Sequence, residues 1–252
     1  YKILYQLRNI FFLLLLPLFS SSQNTLIFSE YGEGSSNNKW VEIYNPTLQS
    51  ISLDEYRYNF CWNGCEGLQW EFSIPFDSGH IILPEETYLL VHHDADSILL
   101  NTANQTTNIL SNGNDVIGLL NTSFNTIIDI IGILDSTNIN AWDVDGVINA
   151  TQNHTMIRKP DVCEGNIGNW SLSDGSISNS QWIVGIEDDF SSLNTHNSDC
   201  INSTTTNILI PPKKRLLEIR DLLGRLVNDT RKHQIQLYIY SDGSIEKVII
   251  TD

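Results

Sequence analysis

Short runs of β-branched and aromatic residues recur about every ten positions, with Gly, Asn and Ser crowded into the gaps between them. This spacing constrains the fold more than any other feature of the chain. The runs are "TLIFSEY" (25–31), "KWVEIYN" (39–45), "ISLDEYRYNFCW" (51–62), "LQWEFSI" (68–74), "HIILPEETYLLVHHDA" (80–95) and "NDVIGLLNTSFNTIIDIIGIL" (114–134). Each is the length of a strand and is bounded by turn residues. Only "SILLNTA" (97–103) reads as a short helix, and nothing sustains the 3.6-residue period that an α/β fold requires. Many short strands with no crossover helices predict an all-β sandwich.

Within that frame, 39–45 alternates, so one face is expected to point inward. Residues 80–95 contain a Pro-Glu-Glu turn and then a buried-type strand from Tyr88 to Val91. Residues 114–134 divide into two apolar strands joined at Asn121 to Asn125.

The ends of the chain differ from the middle. "YKILYQLRNIFFLLLLPLFSSSQ" has Lys2 and Arg8, then an apolar run from Ile10 to Phe19, then three serines. The run is short for a bilayer span and contains Pro17, so 1–22 reads as a secretory signal peptide, with no stable membrane span left after cleavage. Residues 23–201 form the body. A linker follows at 202–214, where Pro211 and Pro212 favour extended backbone. Residues 215–252 form a small tail: a strand, a Gly224 turn, a second strand, then a β-hairpin of "IQLYIY" and "IEKVII" around Asp242-Gly243.

Charge follows the same division. The 252-residue chain carries 14 basic and 30 acidic residues, a net charge of −16. Between 23 and 212 only Lys39, Arg57, Arg158 and Lys159 stand against 24 acids. Such a body repels phosphate backbones, which excludes nucleic acid as a partner. The last 40 residues hold eight basic residues against six acids.

The four cysteines, Cys61, Cys65, Cys163 and Cys200, fit disulfides in an exported chain, and three pairings are open. "CWNGC" folds back through Asn63-Gly64, which makes Cys61–Cys65 geometrically reasonable and leaves Cys163–Cys200. Zinc would use the same residues, but the two pairs lie far apart and no His follows at ligand spacing.

The pieces "LIFSEYGEGSSNNKWVEIYNP", "LPEETYLLVHHDAD", "SNGNDVIGLL" with "IIDIIGIL", "NHTMIRKP", "GNIGNW" and "SQWIVGIEDDFSSLNTH" resemble, in order and spacing, the lamin-tail domain of secreted bacterial proteins, over about 26–200. The resemblance implies an immunoglobulin-like β-sandwich that binds or interacts and has no catalytic centre. The Cys61/Cys65 loop has no counterpart in that pattern. The tail, through "LLEIRDLLGRLV" and "LYIYSDGSIEKVII", resembles the C-terminal sorting domains read by the type IX secretion system of Bacteroidetes. It lacks their Pro-Asn-Pro opening, and no Gly stands two before a Tyr in its penultimate strand. This resemblance implies secretion machinery as the tail's partner.

Few residues point to chemistry. There is no nucleophile elbow, P-loop or HExxH, and no cofactor is called for. "WDVDG" (142–146) is the candidate cation loop: Asp143 and Asp145 stand two apart before a Gly, as in calcium loops, though no Glu closes a full one. The competing reading is an Asp/Gly turn held by its own side chains. "VHHDAD" (91–96) has ligand types, but adjacent histidines on a strand face opposite ways, so a strand end with Asp94 or Asp96 capping a helix is the expectation. Of the six tryptophans, Trp40, Trp170 and Trp182 are expected in the core. Trp62, inside the Cys61–Cys65 loop, is the candidate binding residue, because exposed indoles stack on sugars and anchor interfaces.

The expectation is an exported, non-enzymatic module, secreted or at the cell surface, that contacts a polysaccharide or an envelope partner. The alternatives are a structural envelope protein without a ligand and a metal-dependent surface hydrolase using "WDVDG".

Overall fold

The computed structural model describes residues 26–65, 69–134, 140–201, 216–221, 223–227, 235–240 and 245–249. The expected signal peptide, the linker and the Asp242-Gly243 turn lie outside these residues. The chain divides into two compact units, 1–204 and 205–252. Among the described residues no helix is long and apolar enough to cross a membrane.

The first unit contains β1 (Ile27–Glu33), β2 (Lys39–Tyr44), β3 (Ile51–Ser52), β4 (Tyr56–Cys61), β5 (Phe72–Pro75), β6 (Ile81–Ile82), β7 (Thr87–His92), α1 (Ser97–Thr102), β8 (Gln105–Thr107), β9 (Val116–Asn121), β10 (Thr126–Ile131), β11 (His154–Arg158) and β12 (Trp182–Val184). One sheet runs β12-β11-β1-β2-β7-β8 and the other β10-β9-β4-β5, while β3 pairs with β6. Neighbours are antiparallel except β7 and β8. The body is therefore an all-β, immunoglobulin-like sandwich.

Its core fills the space between the two sheets. Phe28, Tyr31, Val41, Ile43, Tyr88 and Leu90 come from the larger sheet, and Tyr58, Phe60, Ile117 and Leu119 from the smaller. Phe28 and Tyr31 both point inward although three positions apart, which strict alternation forbids. A bulge between Phe28 and Glu30 opposite β2 supplies the extra residue. It turns Ser29 and Glu30 together to the outer face.

The expectation that β2 buries one face is corrected: all six of its residues are buried. Val41 and Ile43 face the main core, while Trp40 packs in a second cluster with Leu89, Val91, Ala95 and Leu99. A further layer, made of α1 and residues 187–196, covers that outer face.

Two other strand boundaries change. The run 51–62 is broken by a 3-10 turn at Leu53–Glu55, where the Ser52 hydroxyl accepts from the Asp54 N–H. Strand β5 begins only at Phe72. The hairpin of β9 and β10 turns at 122–125, with Asn125 left-handed at φ 51°.

The second unit is a three-stranded antiparallel sheet of β13 (Leu216–Asp221), β14 (Ile235–Tyr240) and β15 (Ile245–Ile249), with β14 central. The strand expected after Gly224 is a single bridge, Leu226 to Arg220. The Asp221 carboxylate holds the turn instead, accepting from the N–H groups of Leu223 and Arg225 and pairing with the Arg225 guanidinium.

Candidate functional site

Strand β4 delivers Cys61 to the end of the smaller sheet, and the chain then folds back through a 3-10 turn at Trp62–Gly64. Asn63, Gly64 and Cys65 all take positive φ, at 49°, 101° and 59°. Asn and Gly tolerate that region best, which is why Asn-Gly stands in the loop. Cys61 and Cys65 are disulfide-bonded with Cα atoms 4.9 Å apart. The loop is also tied to its surroundings. The Trp62 N–H donates to Glu71 Oε2 at 2.8 Å, the Asn63 N–H to Asp115 Oδ1 at 3.0 Å, and Asn114 Nδ2 to Asn63 Oδ1 at 2.7 Å. Burial raises the Asp115 carboxyl above its ordinary value, offset in part by the Asn112 and Asn63 N–H groups that donate to it.

This frame holds Trp62 against two phenylalanines. Its ring meets Phe60 edge-on at 4.5 Å and Phe72 at 6.3 Å. Trp62 is 38% exposed, whereas Trp40, Trp142, Trp170 and Trp182 are all buried. With Phe72 at 37% exposure, two neighbouring aromatic rings reach solvent at the end of a fixed strand. Their packing leaves little side-chain freedom to lose when a ligand stacks on them.

The remaining cysteines, Cys163 and Cys200, form the second disulfide. It joins the segment after β11 to the end of the described body.

The "WDVDG" stretch is a tight turn. Val144 and Val147 exchange both backbone hydrogen bonds, and Asp145 and Gly146 between them have φ of 54° and 78°. Two positive φ values in a two-residue loop mark a type I′ turn, for which Asp-Gly is a preferred pair. Asp143 Oδ1 accepts from the Asn149 N–H at 2.8 Å. Asp145 Oδ1 lies 3.6 Å from Lys159 Nζ. Among the described residues neither carboxylate joins two further His, Cys, Asp or Glu groups at ligand spacing. Beside this turn lies an open cleft of about 530 Å³ whose lining includes Ile133, Trp142, Asp143, Ile148, Trp170 and Asp174.

At "VHHDAD" strand β7 ends on His92, so the expected opposition of the two histidines is corrected. His93 lies in a turn, and the two rings stack at 4.8 Å. With Asp94 they form the one cluster of potential metal ligands among the described residues. The stacking is 23° from parallel. In-plane lone pairs of near-parallel rings do not converge on one ion. Asp96 occupies the N-cap position of α1 but makes no capping bond, and its carboxylate accepts from Asn38 Nδ2 instead.

Two acidic arrangements escaped the sequence reading. Asp129 sits between the sheets opposite Arg158. Its signal was an acid inside the apolar run "IIDII", since a buried carboxylate requires donors. Glu30 and Glu42 lie side by side on the outer face of β1 and β2. Alternation would have left them at the surface, and no local signal marks them as buried.

No curated protein and no solved structure matches the chain. Strands β11 and β12 complete the six-stranded sheet from beyond the residues that a family model covers. Residues 20–135 match the family model of the lamin tail domain, a family of non-enzymatic immunoglobulin-like domains.

Proposed function

We propose that this chain is an exported, non-catalytic binding module of the cell surface or medium, and that it contacts polysaccharide through the Trp62–Phe72 platform. The observation that carries this reading is one exposed indole, locked by a disulfide and two phenylalanines and flanked by Asn63, Glu71 and Asn114. Aromatic faces bordered by amides and carboxylates suit sugar rings, whose C–H faces stack and whose hydroxyls hydrogen-bond. Both disulfides agree with an oxidising compartment. In the same reading, residues 1–22 direct export and residues 215–252 act as a sorting domain of the type IX kind, recognised by secretion machinery.

The test is retardation of the intact chain in native gels cast with neutral or acidic polysaccharides. The expected result is retardation that Trp62→Ala weakens at least about tenfold with an unchanged unfolding midpoint. Equal retardation of the variant would reject the platform, and no retardation by any polysaccharide would reject the glycan reading. Export is tested separately by intact mass in medium and envelope fractions, expected to begin at Gln23 and to end near Pro212.

A further inference from the structure

The outer face of β1, β2 and β7 carries Glu30, Trp40, Glu42, Leu89 and Val91, every one buried. A helix of six residues, α1, covers part of it with Leu99. Residues 187–196, an irregular segment after β12, cover the rest. Phe190 and Leu193 pack on the apolar cluster, and the Phe190 ring meets Trp40 at 5.2 Å.

The segment is fastened to the sheet through the two glutamates. Glu30 Oε1 accepts from Trp40 Nε1 at 2.8 Å, and its Oε2 accepts from Ser192 Oγ at 2.6 Å. Glu42 Oε1 accepts from Ser29 Oγ at 2.7 Å, and its Oε2 accepts from the Asn194 N–H at 2.6 Å. Two of these four bonds reach the covering segment. The others fix the carboxylates beneath it. Glu30 and Glu42 are also directly paired across β1 and β2.

Among the described residues nothing nearby neutralises two negative charges at that spot. On β1 and β2, Lys39 is engaged with Glu33. Arg158 of β11 is turned into the interior and engaged with Asp129. Strand β7 contributes His92 and Tyr88, whose ring packs in the main core, and α1 contributes no titratable group. The turn between them adds His93, Asp94 and Asp96. The covering segment brings Glu187, Asp188, Asp189 and His196. Asp188 is held by Ser35 and Asn38, and the charge of Asp189 bears on Glu30. Tyr44 faces His196 at 4.7 Å and stays neutral. The local field is therefore negative.

We propose that residues 187–196 form a proton-operated strap, closed while Glu30 and Glu42 hold protons and lifted from the sheet when both ionise. The hydrogen-bond pattern accommodates one proton on each side chain. Trp40 Nε1 and the Asn194 N–H can only donate, so the protons belong on Glu30 Oε2, facing the Ser192 hydroxyl, and on Glu42 Oε1, facing the Ser29 hydroxyl. Both hydroxyls can reverse and accept. The doubly protonated state keeps all four bonds. The doubly ionised state sets two charges against each other in a dry layer.

Burial pushes the Glu30 carboxyl up to about 7 and that of Glu42 up to about 8, against an ordinary value of 4.5. A raised carboxyl favours the closed state below its ordinary value, and that contribution is lost as pH rises through the raised one. The strap therefore loosens on the alkaline side of neutrality. Opening uncovers the part of the apolar cluster that Phe190 and Leu193 cover, including the Trp40 ring, which is hidden in the closed form.

The test is amide hydrogen exchange of the intact chain, corrected for intrinsic rate. Protection of 190–196 is followed relative to the core amides of β4 and β9. The expected result is a relative loss of at least about tenfold between about pH 6 and about pH 9, abolished in Glu30→Gln/Glu42→Gln. The glutamines preserve shape and can satisfy the same partners. Unchanged protection in the wild type, or a loss that persists in the double variant, overturns the strap. Should the double variant not fold, carboxyl ¹³C titration of the wild type decides. Midpoints for both glutamates above about 6 support the proposal, and a midpoint below that for either overturns it.

Discussion

Asp129 of β10 and Arg158 of β11 form an ion pair that joins the two sheets through the centre of the sandwich, and neither side chain touches solvent. Asp129 Oδ2 also accepts from the Phe28 N–H at 3.0 Å, and its Oδ1 accepts from the N–H groups of Ile130 and Asn166 at 3.1 Å each. Arg158 donates through Nε to the Phe28 carbonyl at 3.0 Å and through Nη1 to Gln181 at 3.1 Å, with its Cζ 4.0 Å over the Trp182 ring. Every lone pair and most protons are used, which is what makes a buried pair tolerable. Truncating one partner strands the other. Asp129→Ala is expected to cost about 3–5 kcal/mol in urea unfolding. Arg158→Lys keeps the charge but loses the planar fork and the stacking, so a smaller loss of about 1–3 kcal/mol is expected.

The two disulfides close loops of different length. Cys163–Cys200 spans 37 positions and Cys61–Cys65 spans four. On the chain-entropy account the long loop contributes about 4 kcal/mol and the short one about 2 kcal/mol. Replacing each pair by serines and comparing urea midpoints checks the order. A larger loss from the short loop would contradict it.

Gly165 lies against β10, where a Cβ would overlap the Ile128 carbonyl oxygen and crowd the Asp129 Cβ. Neither neighbour can move without disturbing the ion pair. Gly165→Ala is expected to destabilise by about 1–3 kcal/mol. A Cβ at Gly185 would find nothing closer than 3.5 Å, so Gly185→Ala serves as the control with little change. Equal effects of the two in thermal unfolding would remove the packing explanation.

His196 lies edge-on to Tyr44 with its Nε2 buried and without a hydrogen-bond partner. Burial, helped by Arg158, lowers its pKa from 6.5 to about 4. The unfolded chain therefore takes up this proton first as pH falls. Its contribution is intact above 6.5 and is lost on acidification towards 4, on the order of 3 kcal/mol in all. Glu30 and Glu42 act in the opposite sense, losing stability as pH rises from 4.5 through about 7 and about 8. His196→Gln should flatten the acid limb of a stability profile and leave the alkaline limb in place. A profile in which the variant changes both limbs equally would argue against independent groups.

Much of the frame was legible from residue pattern. Turn residues bounded the strands, "SILLNTA" formed the helix α1, and Asn121–Asn125 marked the β9–β10 hairpin. These are local properties: backbone preference, turn chemistry and the two-residue period act over a few neighbours. The sites were less legible. The pattern at "WDVDG" fits both a calcium loop and a type I′ turn. Alternating positions on β7 misplaced His93, because the pattern does not say where the strand stops.

The sequence by itself determined an all-β sandwich class, because strand spacing and turn residues are written in short windows. Tertiary structure alone decided which carboxylates are dry. Asp129 meets Arg158 across 29 positions, and Glu42 meets Asn194 across 152. Glu42 has the spacing of a solvent-facing residue and is buried because a distant segment lies over it. The energy of a buried charge depends on what surrounds it in three dimensions, and no local period encodes that neighbourhood.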